Sequence, residues 1–220
     1  MSQPSLSPGP HHPHGPHGPP TPALIEPAPP AAKKLKTDTG PADPDVSYNP
    51  RFMDLCFDKA REALHVGEVP IGCVFVREGH VVHAARNRVN ETRNPTLHAE
   101  IVAIQALERQ IRQGQGQSTG RLAVQAYFNR VVVYVNCEPC IMCASALQQV
   151  GVQGIFFGCA NPRFGGCGTV LDVFQVDHTR RWTPFVQQGF RAHDAIELLK
   201  EFYKGENPNA PPEKRKPARK

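Results

Sequence analysis

From Asn49 onward, apolar residues recur at the spacings of helices and strands. Met53, Phe57, Ala60 and Leu64 lie 4, 3 and 4 apart, the rhythm of one helical face, and Gly67 supplies a C-terminal stop. Residues 71–76 and 80–84 are two β-rich runs joined by Arg77-Glu78-Gly79, where the glycine permits the positive φ of a tight turn, so a hairpin is expected. A second helix is predicted from near Thr96, with Leu97, Ile101, Ile104, Leu107 and Ile111 on one stripe, before a Gly/Gln-rich loop over 113–120. Residues 131–135 are too continuously apolar for a solvated strand and suit one covered on both faces, in the middle of a sheet. Pro139 stands where it would open a helix running to about Val150, and a further strand is expected over 155–157. After a Gly-rich loop, Asp194 and Glu197 have capping-box spacing ahead of a helix through Lys204, ended by Gly205 and Pro208. Hairpin, helix, strand, helix, strand and helix together imply an α/β fold, a mixed sheet between helices with right-handed crossovers where strands run parallel.

Composition divides the chain. Of the 23 prolines, 14 lie in residues 1–50, and no aromatic residue precedes Tyr48. Such a segment buries too little apolar area to offset its conformational entropy, so residues 1–46 are expected to be a disordered Pro/Gly/His-rich tail. His11, His12, His14 and His17 within it are read as solvated low-complexity chain, with weak metal binding as the alternative. Lys33, Lys34 and Lys36 form a candidate nuclear import signal. The remainder fits one domain, residues 47–207. The formal charge of +5 resides mostly in the last eight residues, which carry five cations and one anion, so the basic segment 208–220 is where a polyanion would be held. No apolar run approaches the 18 residues of a membrane span, and the opening lacks the apolar stretch of a secretory signal. The chain is therefore expected in the nucleus and cytoplasm, not secreted and without a membrane partner. In that reducing setting its seven cysteines are better read as thiols or metal ligands than as disulfides.

The candidate chemistry sits in two short strings, His98-Ala99-Glu100 and Pro139-Cys140-Ile141-Met142-Cys143. In that order, each at the start of a predicted helix, they match the H-x-E and P-C-x-x-C signature of zinc deaminases. Two cysteines three apart at a helix start share a face, so both thiolates reach one ion at about 2.3 Å, and the helix N-terminus favours their charge. His98 adds a third ligand, and three protein ligands leave the fourth position of one catalytic Zn2+ to water. Glu100 then serves as a proton shuttle rather than a ligand: hydroxide formed at zinc adds to the ring carbon bearing the amine, and Glu100 carries the protons given up by the water, one to the ring and one to the departing ammonia. Two residues apart in a regular helix means roughly 200° of rotation, so His98 and Glu100 share a cavity only if His98 lies at an irregular helix start, which is the expectation.

Three other readings compete. Cys137 would close a structural zinc site as fourth ligand, an iron–sulfur run would need a cysteine where Leu147 stands, and a buried helix with incidental thiols would leave His98 and Glu100 unexplained. Cys56 and Cys73 lie on apolar faces and are assigned to the core, while Cys159 and Cys167 are thiols near a loop. His65, His80, His83, His178 and His193 lack partner spacing and are read as surface or satisfied histidines.

These residues resemble the tRNA adenosine deaminases of the cytidine-deaminase-like superfamily, bacterial members included, from about Tyr48 to Pro211. Further shared motifs are residues 68–72, Arg86-Asn87, 98–104, 138–147, the loop 161–168, and 202–208. The last two bring the chain nearest to the catalytic subunits of the eukaryotic heterodimeric enzymes that convert wobble adenosine to inosine. The resemblance implies a three-layer αβα fold with about five strands, a tRNA substrate and a homologous non-catalytic partner subunit. It also implies that Asn87 touches an extruded nucleoside and that the Ala99 amide lies near the reacting centre. On the residues alone, Asn87 reads equally as a turn residue closing the second strand. In similar family members threonine and an aliphatic residue precede Glu-Pro-Cys, where this chain has Asn136-Cys137, so the strand-end contacts are expected to differ. Lys214, Arg215, Lys216, Arg219 and Lys220 fit a phosphate-gripping tail, with simple solubilisation as the alternative. Two further functions remain open at this level: deamination of free nucleotides or bases, and a non-catalytic, zinc-containing RNA-binding subunit.

Overall fold

The computed structural model describes residues 46–115, 120–176 and 182–204. The N-terminal tail with its histidines and Lys33, Lys34 and Lys36 lies outside the described residues, as do His178, Gly205, Pro208 and the basic C-terminal segment.

Helix α1 is Pro50–His65, capped by Asn49, whose Oδ1 accepts the Arg51 N–H at 3.1 Å, with Pro50 at its first turn. It buries Met53, Cys56, Phe57, Ala60 and Ala63; Leu64, expected on that stripe, is only half-buried because the buried face is centred one residue earlier. Strands β1 (Gly72–Arg77) and β2 (His80–Arg86) form the expected hairpin. Its turn is tighter than anticipated: Arg77 pairs with His80, leaving two loop residues, Glu78 and Gly79, at φ 53° and 76°. Two successive positive φ values make a type I′ turn, whose twist matches that of the strands.

Helix α2 (Val89–Thr92) precedes α3 (Ala99–Gln115), and α4 (Arg121–Phe128) precedes β3 (Val131–Cys137). Next come α5 (Ile141–Val150), β4 (Gly154–Cys159), α6 (Val173–Val176), β5 (Phe185–Gln188) and α7 (Ala192–Lys204). The five strands are ordered β2-β1-β3-β4-β5, with β1 antiparallel to β2 and β3, and β3, β4 and β5 parallel. The strand expected in the middle is there, and all seven residues of β3 are buried.

Alternation along the strands divides the core into two layers. Cys73, Phe75, Val133, Val135, Ile155 and Phe157 pack with residues of α3, α4 and α5 on one face. Val74, Val76, Val132, Tyr134 and Phe156 pack with residues of α1 and α7 on the other. This is the expected three-layer αβα arrangement. Cys56 and Cys73 are fully buried core residues, as read from the sequence.

Three expectations need correction. Helix α5 begins at Ile141 with Cys140 as N-cap, so Pro139 precedes the cap rather than opening the helix. The loop predicted from residue 113 starts later, since α3 is helical through Gln115 and accommodates Gly114, a residue that weakens a helix without ending it. Helix α7 starts at Ala192, which puts Asp194 in its first turn instead of at the cap; its carboxylate accepts from Arg191 at 2.7 Å, and Glu197 pairs with Lys200. Helices α2, α4 and α6 and strand β5 were not predicted. Among the described residues, no helix is long and apolar enough to cross a membrane.

Candidate metal centre and its surroundings

Both motif strings come together at the end of the sheet where β3 finishes. Asn94 folds the chain ahead of α3: its Oδ1 accepts from the Thr96 N–H at 3.0 Å and the Thr96 hydroxyl at 2.7 Å. His98 follows, and its carbonyl accepts from the Val102 N–H at 3.0 Å, so it caps α3 from outside the regular helix. The irregular start needed for His98 and Glu100 to share a cavity is present. Cys140 is in the same capping relation to α5, with extended backbone at φ −67° and ψ 166°, and Cys143 follows three residues on.

His98 Nδ1 lies 3.5 Å from Cys140 Sγ and 3.6 Å from Cys143 Sγ. A tetrahedral zinc with Zn–S near 2.3 Å and Zn–N near 2.05 Å would separate nitrogen from sulfur by about 3.6 Å, so the His98 nitrogen already stands at zinc-ligand separation from both sulfurs. They form the one group among the described residues with a metal-holding arrangement of histidine, cysteine or carboxylate donors. Cys137 is not in it. It is buried beside Cys159, its partner in the parallel register, and packs with the cluster of α1 and α7, so among the described residues it does not join the donors as a fourth ligand.

Protein groups around the donors already divide their protons. The Cys143 thiol, then His98, stabilise the Cys140 thiolate against the effect of burial, lowering its pKa to about 4. Cys143 is pushed well above the ordinary thiol range by its hydrogen bond to Cys140 and by burial. Hydrogen bonding to Cys140 raises His98. A bound cation has to displace the Cys143 proton, so metal uptake and proton release are coupled. Glu100 is 3 % exposed, and burial, then the Cys140 charge, raise its carboxyl pKa. It interacts with the Cys143 side chain and does not join the ligand group. Ala99, fully buried, is the first helical residue of α3, where the N–H has no acceptor within the helix.

Asn87 is 4 % exposed at the end of β2 and is more than a turn residue: its Nδ2 donates to Glu68 Oε2 at 3.0 Å. Glu68 is one of three buried supporting residues, of which Glu68 and Glu138 stand in shared motifs without an assigned role and Asn136 stands at the departure from the family pattern. Glu138 is the second, accepting main-chain N–H groups of Asn161, Cys167 and Thr169 at 2.8, 3.0 and 3.1 Å. It thereby clasps the loop that crosses the start of α5, where Ile141 N–H meets the Phe164 carbonyl at 2.8 Å. Asn136 is the third: its amide bridges the Gly72 N–H and the Pro70 carbonyl, both at 2.9 Å, locking the start of β1 to the end of β3. This is the contact that the Asn136-Cys137 departure supplies.

Residues 47–159 match the zinc-binding region of cytidine and deoxycytidylate deaminases. The chain belongs to this deaminase family. A tRNA-specific adenosine deaminase 2 of Xenopus laevis is 46 % identical over 164 residues, covering 74 % of this chain and 90 % of that one. The tRNA-specific adenosine deaminase subunit tad2 of Schizosaccharomyces pombe is 35 % identical over 73 % of this chain and 38 % of its own length. A solved structure from work on A-to-I editing by tRNA:A34 deaminases at the wobble position is similar at 30 % identity with a TM-score of 0.57, covering 69 % of this chain and all of that one. In this deaminase the His98, Cys140 and Cys143 cluster fits the family's zinc, which is its cofactor.

Proposed function

We propose that this chain is the catalytic subunit of a two-subunit, zinc-dependent enzyme that hydrolyses adenosine to inosine at the wobble position of the tRNA anticodon. The observation that carries the reading is the cluster of three donors, all within 4.8 Å of one another, beside a buried, unligated carboxyl. The adenosine-deaminase relatives support the substrate, and the subunit designation of the Schizosaccharomyces pombe relative supports a partner subunit, which we read as homologous and without catalytic function.

Zinc, held by His98 Nδ1 and the sulfurs of Cys140 and Cys143, supplies the Lewis acidity that makes water a nucleophile at neutral pH. Glu100 takes the proton that the attacking water loses and places it on the ring nitrogen beside the reacting carbon; it then takes the proton of the added hydroxyl and delivers it to the amine, which departs as ammonia while the carbonyl of inosine forms. Its position suits it to that work, because it is buried beside the donors and stays outside the ligand group, free to accept and give back a proton. Asn87 and the Ala99 main-chain N–H hold the extruded nucleoside, a base that has to leave its stack to reach the site. Lys214, Arg215, Lys216, Arg219 and Lys220 grip phosphates of the same tRNA, an electrostatic contact that weakens with salt. We further propose that residues 1–46 form a solvated tail whose Lys33, Lys34 and Lys36 direct the enzyme to the nucleus as well as the cytoplasm.

The test is Glu100→Gln in the full chain assembled with its partner subunit. Zinc content and tRNA affinity should stay at wild-type values while inosine formation, read by mass spectrometry of the tRNA, falls at least about a hundredfold. Inosine formation at the wild-type rate would overturn the assignment. Ammonia release from free adenosine, deoxycytidine monophosphate or guanine exceeding that from tRNA would overturn the substrate.

A further inference from the structure

An asparagine amide offers opposite chemistry at its two ends, so whatever turns it decides what a ligand meets. At Asn87 that decision belongs to Glu68, which is fully buried. Glu68 Oε2 accepts from Asn87 Nδ2 at 3.0 Å, and Oε1 accepts from the Glu91 main-chain N–H at 2.7 Å. With both oxygens engaged as acceptors, Glu68 has no donor to give, and Asn87 must turn its nitrogen toward Glu68 and its oxygen away. Among the described residues nothing donates to Asn87 Oδ1.

The backbones that carry the pair are pinned. Glu68 N–H donates to the Ala63 carbonyl at 2.9 Å, and Asn87 N–H to the Ile71 carbonyl at 3.0 Å. Asn90 Nδ2 holds the Gly67 carbonyl at 2.9 Å, tying α2 to the residue before Glu68. Neither side chain can therefore escape the other by a shift of its own strand or turn.

We propose that Glu68 is a positioning residue of the deaminase, fixing the polarity of the Asn87 amide so that Oδ1 is the end offered to the nucleoside. This rests on the reading above that Asn87 touches the substrate. Replacing Glu68 by glutamine keeps the size and removes one acceptor. The Glu91 N–H belongs to the backbone and cannot turn, so the glutamine oxygen stays with it and the glutamine NH2 faces Asn87. Asn87 then has to flip, presenting Nδ2 where Oδ1 stood. Exchanging the pair, Glu68→Gln with Asn87→Asp, restores the pattern: the glutamine NH2 donates to one aspartate oxygen, and the other faces the substrate as an acceptor, with net charge unchanged.

The experiment measures kcat/KM for inosine formation in a wobble-adenosine tRNA, normalised to bound zinc, for the full chain with its partner subunit. The variants are Asn87→Ala, Glu68→Gln, Asn87→Asp and the exchanged pair. Asn87→Ala should lose tenfold or more. Glu68→Gln and Asn87→Asp should each lose at least tenfold, the latter because two carboxylates then face each other. The exchanged pair should return to within about fivefold of wild type. Should Glu68→Gln fold too poorly to assay, recovery of the pair relative to Asn87→Asp alone carries the same information. A pair no better than the singles, or a Glu68→Gln enzyme as active as wild type, overturns the positioning role. An unchanged Asn87→Ala enzyme overturns instead the reading that Asn87 touches substrate, and the positioning role falls with it.

Discussion

Glu138→Ala removes the clasp on the loop that overlies the zinc-ligand helix. The carboxylate, 2 % exposed, accepts N–H groups of Asn161, Cys167 and Thr169. Hydrogen bonds to a charged acceptor contribute about 1.5–3 kcal/mol each when buried. Thr169 is exposed, so water replaces that bond at almost no cost, whereas Asn161 and Cys167 are only partly open to solvent. Two bonds at the low end of the range, partly offset by water entering the space left behind, give a loss of roughly 2–3 kcal/mol. Gly165 shows how closely the loop is drawn in, since a Cβ there would run into the Glu138 carboxylate. The loop in turn holds the start of α5 through Phe164–Ile141 and Pro139–Gly166 main-chain bonds at 2.8 Å, so zinc affinity should fall along with stability. Urea unfolding of the zinc-loaded protein measures the first effect, and a chelator competition the second. Amide exchange at Asn161 and Cys167 should quicken while exchange in β3 tracks only the global change. An unfolding free energy within about 0.5 kcal/mol of wild type, with those two amides still protected, would refute the reasoning.

Three further outcomes follow from the same coordinates. Chelation of zinc, or Cys143→Ser, should lower the melting temperature and abolish deamination together, with about 4 kcal/mol at stake where free zinc stands a thousandfold above its dissociation constant; calorimetry with and without added zinc reads it. Gly72→Ala should destabilise by at least about 1–3 kcal/mol, because a Cβ there meets the Ala60 backbone nitrogen at 2.6 Å and the Cys56 carbonyl, forcing α1 off the sheet; chemical denaturation checks it. His83 has its pKa lowered, chiefly by burial and then by Arg109 and Lys59. A histidine that resists protonation when folded contributes stability at neutral pH that is lost as pH falls through its unfolded value near 6.5. Melting temperature should therefore decline between pH 7.5 and 5.5 less steeply in His83→Gln than in wild type.

The parts of the fold legible in the chain were those with strong periodicity or a local signal. The hairpin around Glu78-Gly79, the covered strand β3 and the helices after each chemical motif all came from patterns within about fifteen residues. Strand β5 and helix α4 gave no such signal. The β5 residues are only half-buried or exposed, at the sheet edge, and α4 buries just Val124 and Phe128. Pro139 misled by two residues: the helix starts at Ile141, and Cys140 takes the capping place with its sulfur 3.5 Å from His98 Nδ1.

By itself the chain determined the identity of the chemistry. His98, Glu100, Cys140 and Cys143 belong to two short strings whose internal spacing is set by the helix starts they occupy, and local geometry is what a sequence encodes most directly. Only the tertiary structure decided what supports them. Glu138 finds its donors 23 to 31 residues away, Asn136 reaches Gly72 across 64, and Glu68 meets Asn87 across 19, distances over which no periodicity carries information. Those partners became visible once the sheet closed, because a buried polar group is satisfied by whichever donor the packing brings beside it.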